Sequence, residues 1–137
     1  MTRVVSFADG FTSATSPVVS GASQENYTLN NNQSTSDIAG LIYSSSQYKS
    51  IFIDYELERV GSTTYRQAGS FLAVFNGTWT LTFGNFQGDS IIEDTLLNTY
   101  SVVLSIDSST GQIRYSSGNQ VGHTSTKFKV YSTKVSV

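Results

Sequence analysis

From residue 50 to 59 the chain reads SIFIDYELER, in which Ile51, Ile53, Tyr55 and Leu57 alternate with Asp54, Glu56 and Glu58. Successive side chains of a strand point to opposite faces, so this period of two predicts a β-strand with one face in a core and an acidic face in solvent. A second signal, AVFNGTWTLTF at 73–83, sets two alternating runs about Asn76-Gly77. That dipeptide tolerates positive φ at both centres of a type I′ turn, so a hairpin with a two-residue loop is expected. Such a turn places Phe75 opposite Thr78, Val74 opposite Trp79, Leu72 opposite Leu81 and Ser70 opposite Phe83. Leu72, Val74, Trp79, Leu81 and Phe83 then face the core. The other side carries Phe71, Ala73 and Phe75 beside Thr78, Thr80 and Thr82, too apolar for full hydration and too polar for a deep core. An arm of the chain or a partner is expected to cover it.

Further alternating or β-rich runs predict strands at 27–29, 37–43, 67–75, 78–83, 100–106, 112–116 and 127–137. Only residues 86–98, with Gly88, Ile91-Ile92 and Glu93-Asp94, allow a helical turn. Eight or nine short strands without a helical period predict an all-β fold, an antiparallel β-sandwich of jelly-roll type. Ahead of it lies a short apolar run at 4–7, then a polar segment to residue 24 that contains Gly10, Pro17 and Gly21. Pro17 is the only proline, and Val18-Val19 after it suit an edge strand, where a missing N–H is harmless. The expected division is an extended N-terminal arm at 1–24 and one sandwich domain at 25–137.

The 137 residues suffice for one core, and with no cysteine the fold must stand on packing rather than on disulfides or thiolate metal sites. Charged residues make up only 13% and the net charge is −2, with no basic stripe, so nucleic acid is not an expected partner. The start MTRVVSFADGF has no apolar stretch of leader type, and no window approaches the length of a membrane-spanning helix, so no secretory leader and no membrane contact are expected. Three Asn-x-Ser/Thr triplets, at Asn26, Asn32 and Asn76, read as products of Asn- and Thr-rich turns.

No residue set forms a catalytic or metal signature, and neither enzymatic activity nor a cofactor is expected. Asp54, Glu56 and Glu58 stand about 7 Å apart along one strand face, within the range used by carboxylate pairs in glycoside hydrolysis. They resemble the acidic strand of laminarinase-like glycanases, which however carry Glu-x-Asp-x-Glu where this chain has Asp-x-Glu-x-Glu. A solvated face paired with Arg59, Arg66, Lys127 or Lys129 explains the same residues. His123, in Gly122-His-Thr-Ser, lacks a G-x-S-x-G partner and reads as a surface-loop residue. The run Asp107-Ser-Ser-Thr-Gly111 reads as an Asx turn, and Asp89, Glu93 and Asp94 as a solvated cluster with calcium as the alternative. Tyr27, Tyr43, Tyr48 and Tyr65 are candidate stacking platforms for sugars, although scattered tyrosines more often pack sheet edges.

A strand ending Tyr55-x-Leu57-x-Arg59, a following strand with Gly69, a Trp79 hairpin strand and the late Gly111-Gln-Ile-Arg-Tyr115-Ser-Ser together resemble small β domains of tailed-bacteriophage virions, over residues 51–117. Such domains occur as capsid cement (decoration) proteins and as pieces of tail fibres. The resemblance implies a cement protein made in the host cytoplasm and carried on the capsid outer surface, where it clamps neighbouring major capsid subunits as a dimer or trimer. The alternative is a carbohydrate- or receptor-binding module of a tail fibre. The arm and the half-apolar hairpin face supply the candidate protein interface: Phe7, Phe11, Pro17, Phe71 and Phe75.

Overall fold

The alternation at 50–59 does become a strand. In the computed structural model, which describes residues 23–137, it lies within β3 (Tyr48–Val60), where Ile51, Ile53, Tyr55 and Leu57 are buried while Asp54 and Glu56 are exposed. The other strands are β1 (Ser23–Thr28), β2 (Ser36–Ile42), β4 (Tyr65–Phe75), β5 (Trp79–Gly88), β6 (Val102–Ile106), β7 (Gln112–Ser117) and β8 (Ser125–Ser136). The arm, the apolar run at 4–7 and the interface candidates Phe7, Phe11 and Pro17 lie outside the described residues.

Two antiparallel sheets form a sandwich: one of five strands, ordered β1-β8-β3-β4-β5, and one of three, ordered β2-β7-β6. The core between them joins Ile51, Ile53 and Leu57 of β3 to Phe128 and Val130 of β8, and to Ile38, Val102, Leu104 and Ile113 of the smaller sheet. Strands β1 to β3 pass from the larger sheet to the smaller and back, β7 settles beside β2, and β8 settles between β1 and β3. That is jelly-roll winding. Strands β3, β4 and β5 depart from it by staying on one sheet as a meander. β1 runs antiparallel to β8 from Ser23 opposite Ser132 to Thr28 opposite Lys127.

The hairpin at Asn76-Gly77 differs from expectation. Phe75 pairs with Trp79 across a three-residue loop, followed by Ala73 with Leu81 and Phe71 with Phe83. A type I′ turn needs positive φ at both centres, but here Gly77 adopts it, at +80°, and Asn76 does not. The slip of one residue reverses the faces of β4. Phe71 and Ala73 are buried, at 3% and 0% exposure, and Leu72 and Val74 turn outward. Phe71 therefore belongs to the core and is no surface contact. Phe75 is half-buried, its ring 5.5 Å from that of Trp79. The register follows the neighbours: Phe71 and Ala73 lie beside Ile53 and Ile51 of β3, so this pairing buries an aromatic ring in the centre of the sandwich.

Residues 89–101 form no helical turn. Buried Gln67 on β4 holds them instead, its Oε1 accepting the amides of Ile91 and Ile92 at 2.8 Å each while its Nε2 donates to the Tyr55 hydroxyl at 3.2 Å. Ile91 fills the core and Ile92 bridges to Val102 on the outer side of β6.

Candidate functional site

The smaller sheet covers the inner face of the larger one, and among the described residues no segment covers the outer face. Cross-strand register composes that face in two halves. In the first, Glu56 lies opposite Lys129 on β8 and Glu58 lies opposite Lys127 on β8 and Arg66 on β4. Arg66 Nε donates to Glu58 Oε2 at 2.7 Å, and both side chains remain partly in water. These residues line an open groove of about 480 Å³. The expectation that Arg66, Lys127 and Lys129 accompany the acidic strand is met.

The second half is apolar at its centre. Phe52, 52% exposed, lies opposite Leu72 on β4, and Leu72 lies opposite Thr82 on β5. Asp54 stands between Ser70 on β4 and Tyr131 on β8. Phe52, Asp54, Ser70, Leu72 and Thr82 line a second groove of about 350 Å³. Burial, and secondarily the charge of Glu56, pushes the Tyr131 phenol above its usual range. The side-chain face that the sequence assigned to Phe71 and Phe75 is thus supplied by Phe52, Leu72, Val74 and Tyr131. Phe52 was legible as the outward residue between Ile51 and Ile53; Leu72 and Val74 were hidden by the turn assignment.

Arg59 breaks the expected pattern. It shares the inward parity of Tyr55 and Leu57 and is completely buried. Its Nε donates to Thr126 Oγ1 at 3.0 Å, Nη1 to the Ser101 carbonyl at 3.2 Å, and Nη2 to Asn31 Oδ1 at 2.6 Å and the Gly118 carbonyl at 3.2 Å. Oriented dipoles replace a carboxylate, and desolvation lowers the guanidinium pKa. The same Asn31 oxygen accepts the Gln120 amide at 2.8 Å, so one cation ties together four separate stretches of chain at one pole of the sandwich.

His123 belongs to that knot. Its Nε2 meets Thr126 Oγ1 at 2.8 Å, and burial, then the nearby Arg59 charge, lowers its pKa. With Arg59 donating to the same hydroxyl, Thr126 keeps its O–H and one lone pair, either of which pairs with the imidazole according to the tautomer. Asp107 makes the expected Asx turn, its Oδ1 accepting the amides of Ser109 and Thr110 at 3.0 and 2.9 Å, and these bonds hold the carboxyl down at about 2. In the acidic loop, Asp89 accepts the Arg66 amide and Glu93 the Ser90 hydroxyl. The four tyrosines are packing residues. Tyr43 is buried, Tyr65 stacks on Tyr100 with ring centroids 3.9 Å apart, the Tyr27 hydroxyl donates to Glu25, and Lys134 Nζ sits 5.4 Å from the Tyr48 ring.

The molecule is therefore a two-sheet β-sandwich whose accessible feature is a grooved outer sheet face. No protein-family model matches its sequence, and no curated protein matches it. Among solved structures it is similar to the tailspike protein of Acinetobacter phage vB_ApiP_P1, with a TM-score of 0.52 and 13% sequence identity. The likeness covers 95% of this chain and 26% of the tailspike chain, so this chain spans about a quarter of that protein's length. At such identity the likeness is one of fold.

Proposed function

We propose that this chain is a structural β module of a tailed-phage virion that acts by binding, through the outer face of the five-stranded sheet. The observation that carries the reading is the fold match to a phage tailspike over 95% of this chain. Two readings of the bound surface follow. In the first, which the sequence resemblance favours, the surface is the assembled capsid: the module sits on the shell exterior and clamps neighbouring major capsid subunits. Phe52 and Leu72 then supply apolar contact, and the Glu56, Glu58, Arg66, Lys127 and Lys129 array supplies register, since charges of fixed sign pattern discriminate partners more than they add affinity. In the second, favoured by the neighbour being a tailspike, the module belongs to a fibre and the face meets a receptor or a glycan.

Counting copies in purified virions tests both. Hundreds per particle are expected for a cement protein and a handful for a fibre component. Absence from particles would overturn the virion reading as a whole.

A further inference from the structure

Four strands form the edges of the sheets: β1 and β5 in the larger, β2 and β6 in the smaller. An exposed edge offers unpaired N–H and C=O groups to any extended chain, and folds blunt it with inward charge, irregularity or a covering segment. Three edges here are blunted. β1 carries Glu25 on its core side, accepting from Tyr27 at 2.9 Å. β2 loses register between Asp37 and Ile42, and β6 meets Ile92 along its outer side.

Among the described residues, nothing supplies such a device to residues 79–83 of β5. They include no charge, no proline and no bulge; the irregularity falls later, between Phe83 and Phe86. Among the described residues, the one backbone hydrogen bond that β5 makes outside its ladder with β4 runs from Trp79 N–H to the Ser108 carbonyl, at 2.8 Å. This bond also fixes the parity. Leu81 and Phe83, two and four residues on, turn their N–H and C=O groups away from β4 as Trp79 does. Here the strand emerges from beneath the smaller sheet: Leu81 is half-buried, whereas Phe83 and Phe86 are 39% and 42% exposed.

We propose that this edge joins a second copy of the chain, β5 against β5, antiparallel about a two-fold axis. The inference goes beyond the virion reading and does not depend on it. The occupant follows from self-complementarity. With Thr82 opposite Thr82 at the axis, Leu81 of each copy exchanges both backbone hydrogen bonds with Phe83 of the other. On the inner face this pairing sets an apolar side chain against an exposed aromatic ring, and on the outer face it sets threonine against threonine, both favourable cross-strand pairs. Because the stretch is uncharged, apposing two identical strands incurs no like-charge repulsion. Each copy has one such edge among its described residues, so the pair closes and does not propagate.

The test is sedimentation velocity on the full chain over a concentration series, together with hydrogen exchange of the Leu81 and Phe83 amides. A reversible dimer with both amides protected is expected. Phe86→Lys, which places a charge beside the junction at a partly exposed position, and Phe83→Lys are each expected to weaken dimerisation at least tenfold and to release protection. Circular dichroism checks that both fold, and Phe52→Lys on the outer face is expected to leave dimerisation unchanged. A monomer at every concentration overturns the proposal, including a monomer with protected amides, which would mean that the chain's own residues occupy the edge. A dimer that survives Phe86→Lys, or that Phe52→Lys abolishes, overturns it equally by placing the interface elsewhere.

Discussion

Arg59 shows how much one residue controls. Its four hydrogen bonds reach β8, the 98–101 turn, the turn after β1 and the stretch after β7. Truncation would take a charge-assisted bond from all four acceptors at once and leave each with its other partner alone: Gly118 N–H on the Ser101 carbonyl, Asn32 N–H on the Gly118 carbonyl, Gln120 N–H on Asn31 Oδ1 and His123 on Thr126 Oγ1. A lysine keeps the charge but cannot present donors in the same planar fork, so Arg59→Lys is expected to cost at least about 2 kcal/mol, read from urea unfolding. The inward parity of position 59 was visible in the sequence. The acceptors were not, because they come from distant segments that no local period encodes, and an arginine beside Glu56 and Glu58 invited an outward reading. His123 adds a pH signature. Its folded pKa lies below the usual 6.5, so the unfolded chain takes up its proton first as pH falls. Stability is full above that value and declines as pH drops below it, since the unfolded state then binds more protons. A falling urea midpoint from pH 7 to pH 5 in the native chain, flattened in His123→Gln, is the expected result.

At the scale of elements, strands were legible and their pairing only partly so. The period of two gave β3 and β8 directly, since a run of alternating residues needs no partner to be recognised. The turn between β4 and β5 was misread because Asn-Gly is permissive: it allows the two-residue loop without requiring it, and burial of Phe71 decided the outcome. Phe71→Ala is accordingly expected to cost about 3 to 5 kcal/mol and Trp79→Ala a similar amount, both measured by denaturant unfolding. Two glycines separate backbone strain from crowding. Gly77 and Gly111 have φ of +80° and +77°, but a Cβ on Gly77 meets nothing, whereas one on Gly111 would collide with the Tyr43 carbonyl and approach Trp79 Nε1 to 2.8 Å. Gly77→Ala should cost about 1 kcal/mol. Gly111→Ala should cost several times that, because backbone of the 43–44 segment must move; comparing the two melting temperatures checks it.

For the whole molecule, the open outer face separates stability from attachment. Replacing Glu56 and Glu58 with Gln should shift stability by no more than about 0.5 kcal/mol, as exposed ion pairs contribute little. Phe52→Ser with Leu72→Ser should leave the far-ultraviolet circular dichroism of the sandwich intact while abolishing co-sedimentation with virions or shells; full binding by that variant would remove the outer face from the proposal. Which surface it meets was not written in the chain, because a contact made by a sheet face has no fixed spacing or residue type. The antiparallel pairing of β1 with β8 has a mechanical meaning. Ser23 lies opposite Ser132, close to the last residues of β8, so the first described strand begins and the last one ends at the same pole. Tension applied between those two points pulls the paired strands apart from that pole, loading their hydrogen bonds one after another like a zipper, whereas a tether on opposite poles would load them all at once in shear. A particle that drew on both ends would strip β1 at low force and keep β3 and β8 together, making the first strand a soft release ahead of a stiff body.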